Sequence, residues 1–201
     1  MTPVEICNIG LIAIGQRHLI QSFEDGSVAA ECAKATFRAC LDEVLSDAPW
    51  NDAAASASLP AIDGSSYTYL VPQDLLVLRG VKSPWHPWRR EGRTIVTRTP
   101  PPLCISYTRS LWDGRMPGAD IPISALLASA VGHRFAAGSA LRITGNPGAQ
   151  QAAWQLYQVA IAKVYALNPM ENSEPRQEVG SWIDPESPDA WDAPHDYGLW
   201  E

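Results

Sequence analysis

The chain is poor in the residues that announce chemistry: among 201 residues there are only four cysteines and four histidines. No two of Cys7, Cys32, Cys40 and Cys104 form a C-x-x-C pair, so buried, reduced thiols are the expectation rather than a zinc or disulfide framework. His18, His86, His133 and His195 are scattered, and none stands at ligand spacing from a cysteine or carboxylate, so no metal site is expected. No G-x-G-x-x-G, G-x-S-x-G or H-E-x-x-H string occurs. Gly10 and Gly15 have the spacing of a phosphate loop, but Gln16 and Arg17 occupy the positions of its lysine and hydroxyl residue. A helix is the better reading there. No apolar run approaches the roughly 18 residues of a membrane span. The opening residues lack a basic start, and Glu5, Asn8, Gln16 and Arg17 interrupt them, so no secretory signal is expected either. Neither a catalytic site nor a cofactor is expected.

What the chain does have is apolar content of 46 % against 18 % charged residues, enough for one packed domain. Its formal charge of −7 is unevenly placed. Residues 168–201 carry nine acids and a single base, Arg176. Residues 79–115 carry eight bases (Arg79, Lys82, Arg89, Arg90, Arg93, Arg98, Arg109, Arg115) against Glu91 and Asp113. A basic middle and an acidic end thus attach to a near-neutral frame, either as solvated surface or as complements to a partner or a neighbouring copy.

Helical periodicity frames the chain. Thr2-Pro3-Val4-Glu5 combines a capping residue, a proline at the first helical position and a glutamate three beyond the cap, predicting a helix over 3–15. A second helix is predicted over 27–46, with Ala33, Phe37, Cys40, Leu41 and Val44 as its core stripe and Glu31, Lys34, Arg38 and Asp42 on its wet side. Residues 51–66 read as a connecting loop. Strands are predicted at 67–71, 75–78, 93–97 and 103–108, an antiparallel β insertion within 67–112. Helices return over 122–138 and 147–167, the last carrying Ala149, Ala152, Ala153, Leu156, Ala160, Val164 and Leu167 along one face. Residues 1–167 thus form the core. Residues 168–201 form an acidic, proline-rich arm with no predicted fold of its own, in which Trp182, Trp191 and Trp200 are each nine apart. An indole in such an arm is costly to expose unless it meets a pocket. Trp85-His86-Pro87-Trp88-Arg89-Arg90 interleaves aromatics and cations, as a partner-contacting hairpin tip or a single-strand nucleic-acid surface does.

The order of several strings resembles the head–tail adaptor (head-completion, tail tubular A-type) proteins of tailed bacteriophages. Asn8, Leu11, Ile14 and Gly15 resemble the family's opening, and Ile20, Ser22, Phe23, Asp25, Ser27 and Ala30 its entry into the second helix. Phe37, Val44, Leu45 and Pro49-Trp50-Asn51 resemble the end of that helix. Tyr67, Tyr69, Leu70, Pro72, Asp74 and Leu75, then Glu91-Gly92-Arg93, Ile95, Thr97, Pro102, Leu103 and Tyr107, resemble the family's strands. Leu41, Asp52 and the last 34 residues depart from the pattern. The resemblance implies an α+β, mainly α fold: a four-helix bundle with a small antiparallel β insertion and an extended C-terminal tail. It also implies a ring of copies, a dodecamer, in the virion neck, made in the host cytoplasm. Such a ring sits under the portal protein, extends a channel through which genomic DNA passes without sequence-specific binding, and joins the tail tube, nozzle or other neck proteins, with no membrane involved. On this view Trp182, Ile183, Trp191, Tyr197 and Trp200 would bind the portal, and Trp85, Trp88, Arg89 and Arg90 would form a tail-side or partner-contacting loop. The alternative is a nucleic-acid-binding protein using residues 79–115. A small enzyme whose site only the fold assembles is the third class.

Overall fold

Helix starts follow the local chemistry closely. In this computed structural model, which describes residues 1–62, 67–83, 86–112 and 118–168, helix α1 spans Pro3–Ala13. Thr2 Oγ1 accepts from the Glu5 N–H at 3.2 Å and the Glu5 carboxylate accepts from the Thr2 N–H at 2.7 Å, so two orphan donors are satisfied reciprocally. Helix α2 (Val28–Asp47) starts at Ser27, whose hydroxyl accepts from Ala30 N–H at 3.1 Å while Asp25 accepts from both Ser27 N–H and Ser27 hydroxyl. All five residues of its expected core stripe are buried. Helix α3 (Ala125–Thr144) runs beyond the expected residue 138, because Gly138 is tolerated inside the helix and the stop is Gly145, whose N–H donates to Leu141 O. Helix α4 (Pro147–Leu167) begins at Asn146, whose side chain accepts from Gly148 N–H at 2.8 Å, with Pro147 at the first helical position.

Alpha3 is the hub: α1, α2 and α4 each pack chiefly on it, while α1 and α2 barely meet. The contact with α1 depends on two glycines. A Cβ on Gly10 would stand 2.1 Å from Gly132 O, and one on Gly132 would stand 2.6 Å from Ile6 O. Gly10, part of the false phosphate loop, is thus a point of backbone contact. Asn8 ties down the loop that follows α1, its amide donating to Ile20 O at 2.9 Å and accepting from Ile20 N–H at 3.0 Å.

The strands form two three-stranded antiparallel sheets rather than one small insertion. β1 (Ala54–Leu59), β3 (Leu75–Val81) and β6 (Leu103–Arg109) make the first, in the order β1-β6-β3. β2 (Thr68–Leu70), β4 (Trp88–Glu91) and β5 (Thr94–Thr97) make the second, in the order β2-β5-β4. Leu59, Leu103, Ile105 and Tyr107 from the first sheet meet Tyr69 and Ile95 from the second in a core separate from that of the helices. The expected four-helix bundle with a small β insertion is therefore incorrect: among the described residues, four helices and two sheets make a mixed α/β fold. Two physical causes stand out. The helices gather around α3 instead of forming a bundle of four equivalent neighbours, and the strand Ala54–Leu59 is hidden in an Ala/Ser-rich stretch that reads as loop.

Arg79 joins the two halves. Its Nε donates to Thr108 Oγ1 at 2.8 Å and its Nη2 to Ser46 O and Ala48 O at 2.9 and 2.8 Å, so a strand arginine satisfies carbonyls at the end of α2. Nearby, the buried Trp50 donates from Nε1 to Val44 O at 2.7 Å.

Candidate interaction surfaces

The hairpin β4–β5 presents the first surface. Its two-residue loop, Gly92-Arg93, has Gly92 at φ 57°, the positive φ that a tight hairpin asks of its first central residue. Pairing of Trp88 with Thr97 and Arg90 with Ile95 puts Trp88 and Arg90 on the face of the buried Ile95 and Thr97, while Arg89 lies opposite Val96 on the other face. All four β4 residues are exposed. The base of the hairpin is fixed by hydroxyls, Ser83 donating to His86 O at 2.7 Å and Thr97 to Pro87 O at 3.2 Å.

Around this base lies an open hollow of about 760 Å³ walled chiefly by Tyr67, His86, Trp88, Arg89 and Arg98. Tyr67 and Trp88 are each 43 % exposed. Tyr67 holds a φ of 48°, uncommon for a side chain of its size, with its carbonyl accepting from Thr97 N–H at 3.1 Å. Arg89 meets Glu91 at 2.6 Å in an exposed pair, and Arg90 donates to Gly92 O at 3.0 Å. Arg98 has no carboxylate partner among the described residues. A charged edge strand also blunts unwanted strand pairing, and that protective role needs no ligand.

Of the residues singled out in the sequence, Trp88, Arg89 and Arg90 share this hairpin. Trp85 lies outside the described residues, as do Trp182, Ile183, Trp191, Tyr197 and Trp200. His86 belongs to the same contiguous string as Trp88, Arg89 and Arg90. Tyr67 and Arg98 come from separate segments, and only the pairing of β2 and β4 with β5 brings them to it. Arg79, counted with the basic segment, turns to α2 instead.

Alpha4 presents the second surface. Of its 21 residues only Ala153, Tyr157 and Val164 are buried. Trp154, Leu156, Val159, Tyr165 and Leu167 are exposed, Val159 by 54 %. Leu156 and Leu167, expected along one face with Ala153 and Val164, are thus exposed at its edge. Arg134 of α3 is central here: its Nη2 donates to both Glu43 oxygens at 2.9 and 2.7 Å, and its guanidinium lies 5.2 Å from the Trp154 ring centre. Trp154 stacks in turn on Tyr157 at 5.3 Å, and the Tyr157 hydroxyl donates to Asp47 at 3.0 Å. Burial, with the adjacent Asp47 carboxylate second, pushes the Tyr157 phenol up. A groove of about 150 Å³ runs between Leu126, His133, Leu156, Val159 and Lys163, and burial pushes the His133 imidazole down.

Among the described residues no three His, Cys, Asp or Glu side chains gather as a metal set, and no helix is long and apolar enough to cross a membrane. The four cysteines are free thiols; burial pushes Cys7, Cys32 and Cys40 up. No protein-family model matches the chain, and no curated protein matches its sequence.

Proposed function

We propose that this protein is a structural head–tail adaptor of a tailed phage, working without catalysis as a ring of copies beneath a portal. The observation that carries the reading is α4, a 21-residue helix with three buried residues and a run of exposed Trp, Leu, Val and Tyr side chains. Partly exposed apolar side chains flank the buried Ala153-Tyr157-Val164 stripe on both sides among the described residues, which suits a helix with a neighbour on either side, as in a ring. The ordered sequence resemblance supplies the class of neighbour. The arm adds a strap: an extended segment that binds along a groove loses ordering entropy, and buried indoles offset it at roughly 2–3 kcal/mol each.

The test mixes the full chain with purified portal rings and compares it with a chain ending at Asn168. Ring-shaped co-assembly that needs the arm is the expected outcome. Equal binding without the arm overturns the strap, and absence of any assembly overturns the adaptor. The second reading, nucleic-acid binding, is favoured by one observation, the exposed Tyr67 and Trp88 beside Arg98. It predicts DNA affinity that falls steeply with salt and is lost in Arg89→Ala with Arg90→Ala.

A further inference from the structure

The hollow on the hairpin has the chemistry of a receptor for an acidic segment that carries one aromatic ring. Tyr67 and Trp88 line it as half-exposed aromatics, and His86, Arg89 and Arg98 line it beside them. Its volume suits one large side chain with its flanks rather than a long peptide. The chain itself contains a matching segment. Asp189-Ala190-Trp191-Asp192 brackets an indole with a carboxylate on each side, whereas Trp182 and Trp200 are not bracketed so closely.

We propose that Asp189–Asp192 of one copy docks in the hairpin hollow of a neighbouring copy, a contact that rests on the ring reading above. The indole of Trp191 enters between Tyr67 and Trp88, one aspartate meets Arg98, and the other joins Glu91 on Arg89. Reach is ample. Asn168, the last described residue, is pinned where its side chain accepts from Asn51 N–H at 2.9 Å and donates to Pro49 O at 3.1 Å. From there the chain to Trp191 spans at most ~75 Å at about 3.3 Å per residue. In a ring, each neighbour's hairpin stands at high local concentration for such a tether. Charge complementarity fixes the partner: the arm is strongly acidic, and Arg98 lacks a carboxylate among the described residues. Trp182 and Trp200 are left for the portal.

The test uses full-length chains in a Cys104→Ser background, because Cys104 is the one incompletely buried native thiol. Chains carrying His86→Cys are mixed with chains carrying Ala190→Cys and treated with a short bismaleimide. Cross-linked heterodimer should exceed that from a Ser56→Cys control by about tenfold. It should drop to the control level with Arg89→Glu and Arg98→Glu, drop likewise with Asp189→Lys and Asp192→Lys, and return when both charge sets are exchanged together. A yield no higher than the control, or no recovery on double exchange, overturns the proposal. Portal rings assembled normally beside such a failure leave the adaptor reading standing. Cross-linking without any ring assembly supports the docking site and overturns the adaptor.

Discussion

Gly10 and Gly132 show how much depends on a missing side chain. Each leaves room for the backbone of the facing helix, and an added methyl at either position falls inside contact distance of a carbonyl. Gly10→Ala should destabilise the fold by ~1–3 kcal/mol through forced separation of α1 from α3, read as a lower urea midpoint. Tyr157 makes a different prediction. Its phenol is raised in the folded state, so folding favours the protonated form; the associated stability is complete below the ordinary phenol value of 10.0 and is lost as pH rises beyond it. Unfolding free energy measured at pH 9 and pH 11 should fall in the wild type and fall less steeply in Tyr157→Phe. Thiol reactivity follows burial: at neutral pH a maleimide should label Cys104 first, with Cys7, Cys32 and Cys40 reacting only on unfolding, as peptide mapping over time would show.

Among the elements, helix starts were the most legible in sequence because their signals are local. Thr2-Pro3-Glu5 and Asn146-Pro147 each state a cap, a first-turn proline and nothing that conflicts. Legibility failed where tertiary partners decide. Ala54–Leu59 becomes a strand because β6 pairs along all of it, not because alanine and serine favour one. Gly138 looks like a helix end, yet α3 continues because its neighbours bury both flanks. Arg79 counts toward a basic surface in sequence and serves as a side-chain cap in the fold, since only the docking of β3 brings it to the α2 terminus. Arg79→Met should cost about 1–3 kcal/mol by leaving those carbonyls and Thr108 without their donor, seen as a lower thermal midpoint. The hairpin hollow was half legible. His86, Trp88 and Arg89 fall within one short string, but Tyr67 and Arg98 join them only through pairing with β5.

For the whole molecule, the contrast among the described residues is between a packed interior centred on α3 and an α4 with only three buried side chains and several partly exposed apolar ones. The proposed ring would cover those side chains. Val159→Glu should therefore leave the fold of one copy within about 0.5 kcal/mol of the wild type, being a surface change, while abolishing the proposed ring assembly. Light scattering of the variant beside a thermal melt separates the two effects.

The most direct measurement is hydroxyl-radical footprinting of α4 in the free chain and in the portal-bound particle. An adaptor ring predicts strong protection of Trp154, Leu156, Val159 and Tyr165 on assembly. Equal modification of those four side chains in both states would contradict it.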